Sequence, residues 1–236
     1  MEPLKAGAVA LGLTLDADQI ARFHTYYEML HEWNTRFNLT AVSDYSGVLT
    51  KHFLDSLSCL LALPQGLTQQ RVVDVGSGAG FPGLPIKIAC PGVHLALVEA
   101  TGKKAEFLKA VVERLGLSDV EVVNARAEEV GHAPRHREAY DLAVARAVAA
   151  LRVLAELCLP LVRPGGMLIA MKGEDPRVEV ADAQTALRTL GGRHRQTMPV
   201  VVPGLGAARH LVVVDKVSAT PGRYPRRPGV PARRPL

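Results

Sequence analysis

The stretch Arg71-Val-Val-Asp-Val-Gly-Ser-Gly-Ala-Gly-Phe-Pro-Gly83 constrains the chain more than any other. An apolar run of strand length passes directly into Gly76-x-Gly78-x-Gly80. Glycine there lets the backbone turn sharply and approach a ligand where a Cβ would intrude. Such a turn belongs at the carboxyl end of a strand in an open α/β sheet, and the rest of the chain supplies that sheet. Apolar runs at 71–75, 94–99, 120–123, 140–146 and 166–172 alternate with helix-like stretches near 84–90, 103–115, 148–161 and 176–190. Strand and helix in alternation predict a doubly wound parallel sheet. The ending departs from that rule: runs at 194–202 and 210–217 are joined by a Pro-Gly-Leu-Gly loop, which predicts an antiparallel hairpin.

The expected fold is therefore α/β and Rossmann-like, a seven-stranded and mostly parallel sheet closed by a C-terminal antiparallel hairpin. That arrangement is typical of methyltransferases that use S-adenosylmethionine (SAM). In front of it stands an N-terminal helical cap. Residues 16–36 read as an amphipathic helix, with Ile20, Phe23, Tyr27, Leu30 and Trp33–Asn34 recurring at three-to-four spacing and Asp16 as N-cap. A second helical stretch, 48–62, carries Phe53, Leu54, Leu57, Leu60 and Leu61, and Pro64 closes it. The expected organisation is a cap over 1–66, a SAM-dependent methyltransferase domain over 67–219 and a basic tail over 220–236.

Composition excludes several classes. No apolar run approaches the roughly 20 residues of a membrane span, and the thin N-terminal apolar stretch, followed by Asp16 and Asp18, does not read as a signal peptide. Cys59, Cys90 and Cys158 lie far apart, without CxxC spacing, so neither a disulfide framework nor a metal site is expected and a cytoplasmic setting fits. A monomer is expected. The formal charge of +5 is concentrated at the end: residues 223–236 carry five arginines, four prolines and no acid. No core can be built from that composition, so an extended flap or a disordered tail is expected, its uncompensated arginines suited to phosphate.

The Gly-rich turn alone leaves two cofactors open, because Gly78-x-Gly80-x-x-Gly83 also satisfies the dinucleotide pattern. Asp74, two residues before the first glycine, favours SAM. A carboxylate suits the cationic methionine end, through its ammonium or by ordering the loop, and would repel a pyrophosphate. Pro82 and Pro85 also remove N–H donors from the helix start that a pyrophosphate would want. Glu99, at the end of the second strand, can accept the ribose hydroxyls of any nucleoside or charge the start of the following helix. After the third strand comes Asn124-Ala-Arg-Ala-Glu-Glu129, where Glu128 or Glu129 is placed to meet an adenine amino group, with Ala127 and Glu128 flanking the ring, or both acids face solvent.

By these residues the chain resembles the RsmG (GidB) family, bacterial methyltransferases that modify guanine N7 in 16S ribosomal RNA. The resemblance rests on Trp33-Asn-Thr-Arg-Phe-Asn-Leu-Thr40, Lys51-His-Phe-Leu-Asp-Ser56, the segment from Asp74 to Pro85, Ala145-Arg-Ala147, Ala170-Met-Lys-Gly173, Arg209-His-Leu-Val-Val213 and the tail Arg223-Tyr-Pro-Arg-Arg-Pro-Gly229. It implies cofactor contacts at Gly76, Phe81, Glu99, Ala100, Thr101, Ala127, Glu128 and Arg146, beside Asp74 and Gly78 of the turn. Glu99 stands where aspartate also occurs in the family, and Ala127 replaces other small apolar residues. Guanine N7 carries no proton, so no general base is implied, and no Asn-Pro-Pro-Tyr clamp follows the fourth strand; Ala145-Arg146-Ala147 stands there. Arg146 is the candidate positioning residue, through the base, a phosphate or the cofactor carboxylate. Lys172, Arg209, His210, Arg223, Arg226 and Arg227 are the candidate contacts to 16S rRNA or a small-subunit precursor.

Overall fold

The computed structural model describes residues 1–63 and 65–236, so the expectation that Pro64 closes a helix lies outside the described residues. Seven strands form one sheet in the order β3-β2-β1-β4-β5-β7-β6. These are β1 (Arg71–Val75), β2 (His94–Val98), β3 (Val120–Val123), β4 (Tyr140–Arg146), β5 (Val162–Lys172), β6 (Gly192–Val200) and β7 (Arg209–Lys216). The first five pair in parallel, whereas β7 lies antiparallel between β5 and the edge strand β6. The expected fold class is thus the observed one.

Both faces of the sheet are covered, which is why the inner strands read as continuous apolar runs. Val72, Leu142, Val144, Ile169 and Val213 face one hydrophobic cluster; Val73, Val75, Ala143, Ala145, Leu168 and Val212 face the other. The first cluster also takes in Leu4, Phe23, Tyr26, Leu30, Phe53 and Leu57. The N-terminal helices α1 (Glu2–Ala10) and α2 (Ala17–Phe37) therefore share a core with α5 (Gly83–Ala89), α6 (Gly102–Arg114) and the sheet. The second cluster is covered by α7 (Ala127–Val130), α8 (Leu151–Cys158), the short pair α9 (Arg177–Asp182) and α10 (Gln184–Thr189), and by Tyr224 and Leu236 of the tail.

Asp16 caps α2 as expected: its carboxylate accepts from the Gln19 N–H at 2.7 Å, and the Gln19 amide oxygen accepts from the Asp16 N–H at 2.9 Å. The buried stripe of that helix is shifted, with Tyr26 rather than Tyr27 fully buried. Helix α1 was not anticipated. The single helix expected over 48–62 is instead a composite: α3 (Tyr45–Gly47), a π-helical segment Val48–Leu54, α4 (Asp55–Leu57) and a 3-10 turn Ser58–Ala62. Apolar spacing reports a buried helical face but not the hydrogen-bond register along it. The helix expected over 176–190 is likewise divided, and β5 begins at Val162, with a register irregularity opposite Tyr140 and Leu142.

Of the two states expected for the tail, the structure shows the flap, docked on the domain: Tyr224, Pro225 and Pro231 are buried, and residues Val230–Arg233 form α11. Low hydrophobic content forbids an independent core but not docking onto one supplied by the rest of the chain.

Candidate active site

The sheet order reverses between β1 and β4, and a crevice at the carboxyl ends of those strands is where open α/β sheets take ligands. The turn after β1 forms one wall. Gly76 has φ +72°, and a Cβ there would lie 2.8 Å from a Val148 methyl. At Gly80, φ +100°, a Cβ would meet the Tyr26 hydroxyl at 2.6 Å. Tyr26, fully buried, donates that hydroxyl to the Ala79 carbonyl and so ties α2 to the turn. Around Gly78 the nearest atom to a Cβ would be the Gly76 carbonyl oxygen at 3.9 Å. That position faces open space, as a close-approach site for a ligand requires.

Asp74 is fully buried beneath the turn. Its Oδ2 accepts from the Gly83 N–H at 2.8 Å, while Oδ1 has no partner among the described residues. Burial pushes its carboxyl up to about 7, opposed by the Gly83 bond and the Arg146 charge and assisted by Glu99. Of the two roles open to Asp74, the ordering of the loop is visible directly, and the free Oδ1 leaves an unmet demand for a donor or a cation. Glu99 laces the loop to the next strand. One oxygen accepts from Gly78 N–H at 2.9 Å and the other from Thr101 N–H at 2.7 Å, and each retains a lone pair for a further donor. Asn124 donates to the Glu99 carbonyl at 2.9 Å.

The start of α5 offers a pyrophosphate nothing. Pro82 and Pro85 lack N–H groups, the Gly83 N–H is held by Asp74, and the Leu84 N–H donates to the Gly80 carbonyl at 2.8 Å. Carboxylates bounding the crevice, with an unpartnered buried oxygen among them, fit a nucleoside with a cationic end rather than a dinucleotide. The wall continues through Ala100 and Thr101 to Ala127 and Glu128 at the end of β3; Glu128 is 8% exposed and accepts from the Gly229 N–H of the tail at 2.9 Å.

The opposite wall is cationic. A cleft of ≈ 430 Å³ is lined by Lys51, His52, Asp55, Arg146, Lys172 and Arg209, among others. Buried Asp55 lies between two guanidiniums, accepting from Arg146 Nη1 at 2.8 Å and from Arg209 Nε at 2.8 Å. Arg146 Nη1 also donates to the Lys51 carbonyl at 2.7 Å, and its guanidinium lies 5.2 Å over the Phe81 ring. His52 stacks on Phe81 with centroids 4.5 Å apart and bonds the Thr40 hydroxyl through Nε2 at 2.8 Å. Burial, then the Arg146 charge, lowers the imidazole to about 4, so it is neutral at pH 7. Lys172 Nζ donates to Glu179 at 2.7 Å and to the Ala149 carbonyl at 2.9 Å.

Of the residues singled out from sequence, Asp74, Gly76, Gly78, Phe81, Glu99, Ala100, Thr101, Ala127 and Glu128 lie along the ends of β1 to β3, with Arg146 at the end of β4. Arg146, Lys172 and Arg209 meet in the cleft. His210 pairs with Lys172 across the strands, but its Nδ1 is buried without a partner and the ring does not line the cleft. The tail arginines do not line it either. The expectation that all of them are uncompensated is corrected at Arg226, which grips the fully buried Glu156 through Nε and Nη2 at 2.8 and 2.6 Å. Arg223 and Arg227 are exposed, Arg223 lying over the Tyr224 ring. Sequence reasoning missed Tyr26 and the Lys51 carbonyl, and read His52 and Asp55 as ordering the helical cap over the site or as a structural pair. The motif Lys51-His-Phe-Leu-Asp-Ser56 was visible, but only the π-helical register shows that the Lys51 carbonyl, His52 and Asp55 converge on Arg146.

A family model for rRNA small subunit methyltransferase G matches residues 19–212. Among curated relatives, Ribosomal RNA small subunit methyltransferase G from Roseiflexus sp. (strain RS-1) is 52% identical over 236 residues, covering 100% of both chains. The protein of that name from Dehalococcoides mccartyi (strain CBDB1) is 48% identical, again over 100% of both. Among solved structures, the methyltransferase bound to the Trm112 activator from Haloferax volcanii superposes with a TM-score of 0.59 at 13% identity, covering 80% of this chain and 98% of that one. TrmN from Thermus thermophilus gives 0.52 at 19% identity, over 72% and 53%. These two show the fold alone, whereas the family model and the full-length relatives show that this chain belongs to the rRNA small subunit methyltransferase G family.

Proposed function

We propose that this protein transfers the methyl group of SAM to N7 of a guanine in 16S ribosomal RNA, acting as a cytoplasmic monomer. SAM supplies an electrophilic methyl on a sulfonium centre. In this reading Asp74 and the Gly76–Gly80 turn receive its methionine end, Glu99 the ribose hydroxyls, and Ala127 and Glu128 the adenine. No described helix is long and apolar enough to cross a membrane, and no described cluster of His, Cys, Asp and Glu suits a metal.

One observation carries the choice of acceptor. The two groups in the cleft that could take a proton are both held against it by the arginines: the Asp55 oxygens accept from Arg146 and Arg209, and His52, lowered to about 4, bonds Thr40 through Nε2 with its Nδ1 3.3 Å from Arg146 Nη2. A cleft without a free base suits an atom that attacks with a lone pair and releases no proton, as guanine N7 does. The protein then contributes placement, which can account for roughly 7–11 kcal/mol of a barrier. Arg146, fixed by Asp55 and the Lys51 carbonyl, serves as a positioning residue. A cation donating to guanine O6 would hold the base yet oppose the positive charge that grows on the methylated ring, so direct stabilisation of that charge is not its role. Lys172, Arg209 and the exposed tail arginines contribute phosphate contacts.

The test is incubation with methyl-labelled SAM and 30S subunits or 16S RNA from cells lacking the activity, followed by nuclease digestion and mass spectrometry. A single 7-methylguanosine is expected. Label on an exocyclic amine or another nucleoside would overturn the N7 assignment.

A further inference from the structure

The tail is bound at several points beside the end of β3, and one of its contacts reaches a carboxylate at the cofactor crevice. The segment Ala127–Val130 lies between the end of β3 and the tail. On its far side Arg137 donates to the carbonyls of Gly131 and Tyr224 at 2.9 and 2.8 Å and to that of Thr220 at 2.8 Å. His132 Nε2 lies 2.6 Å from the Pro225 carbonyl oxygen. A Cβ on Gly131 would sit 2.8 Å from the Pro225 ring, so backbone and ring are in direct contact there. Arg226 anchors the next turn to buried Glu156 through its backbone N–H at 2.8 Å as well as its guanidinium. Three residues on, Gly229 adopts φ +79° and its N–H donates to Glu128 Oε1 at 2.9 Å.

We infer that Gly229 is a positioning residue of the cofactor site, its N–H holding Glu128 so that the second carboxylate oxygen faces the adenine amino group. This rests on the reading that Glu128 meets adenine. A carboxylate with one oxygen bonded to a fixed backbone donor loses its rotational freedom and presents the other in one direction. The left-handed backbone is what turns the N–H toward Glu128, and glycine adopts it without strain. Only the flexible end of Arg233 lies near a Cβ at this position, so a side chain there disturbs backbone geometry and not packing.

The discriminating measurement is calorimetric affinity for S-adenosylhomocysteine and for its S-inosyl counterpart, in which the amino group is replaced by a carbonyl. In full-length Gly229→Val, whose β-branched side chain disfavours positive φ, affinity for the adenine ligand should fall about tenfold while that for the inosine ligand stays within about twofold. A merely structural role would move both together. A wild-type ratio of affinities in Gly229→Val overturns the inference. Should that variant not fold, full-length Gly229→Ala, whose single methyl also disfavours positive φ, must show the same selective loss in smaller measure. Glu128→Gln separates the two readings. If it too leaves the ratio unchanged, Glu128 does not meet adenine; if it collapses the ratio while the Gly229 variant does not, only the positioning role fails.

Discussion

Asp55 shows how one buried residue can set the geometry of a cleft. Buried between Arg146 and Arg209, it fixes both guanidiniums in the cleft. Asp55→Asn should destabilise the fold by about 3 kcal/mol, because removing one partner of a buried ion network leaves the others uncompensated. Methyl transfer should fall on the order of 100-fold through misplacement of Arg146, with SAM affinity nearly unchanged. Urea unfolding and single-turnover labelling check the two parts, and wild-type turnover would remove Asp55 from the positioning scheme. Asp74 offers a pH signature. Its folded value near 7 lies above that of an unfolded aspartate, so its stabilising contribution is full in acid and is lost as pH rises through about 7. A cationic ligand favours the ionised form. SAM binding at pH 6 should therefore release a proton, and affinity should rise toward pH 7 and then level off. Calorimetry in buffers of different ionisation enthalpy reads this, and binding without proton release would exclude a cation beside Asp74. For His52, held near 4, the sign reverses: its contribution is present above about 6.5 and lost as pH falls through 4.

At the scale of elements, α2 connects the N-terminal layer to the turn after β1. Gln19 closes the capping box and donates through its side-chain amide to the Ile88 and Ala89 carbonyls at 3.0 and 3.1 Å, docking α2 on the end of α5. Gln19→Ala loses both roles and should cost about 2 kcal/mol. For a chain of this length that is roughly 4–8 °C in melting temperature, measured by circular dichroism. A shift under a degree would show that water replaces these bonds without loss. The helical character of residues 48–62 and their apolar face were legible from sequence, but the π register was not. Phe53, Leu54, Leu57 and Leu60 are buried as that face predicts, whereas Leu61 is exposed. Which carbonyl is released to Arg146 depends on a partner almost a hundred residues away.

Across the whole molecule, charge divides the arginines into two kinds. Arg227 is exposed, whereas Arg226 is consumed in anchoring the tail to Glu156. If the tail meets RNA, Arg227→Gln should weaken binding with little sequence dependence and reduce the salt slope of log affinity by about 1. Arg226→Gln should act mainly on stability, since it leaves buried Glu156 unpaired. Filter binding over a salt series, paired with thermal melts, separates the two. Equal effects of both substitutions on the salt slope would mean that the Glu156 pair opens on the RNA.

The order of strands and helices, the turn after β1 and the carboxylates at 74 and 99 were determined by the sequence itself. Periodicity, glycine spacing and position at a strand end are local properties, and burial on both sheet faces made them plain. What only the tertiary structure decided are the pairings between distant residues: Asp55 with Arg146 and Arg209, Tyr26 with Ala79 of the turn after β1, Arg226 with Glu156 and Gly229 with Glu128. In each pair the residues stand 53 to 154 positions apart in the chain. No local preference couples such partners. They meet because the sheet order and its covering layers bring them together, and because a buried charge or a buried donor must find a partner wherever the fold supplies one.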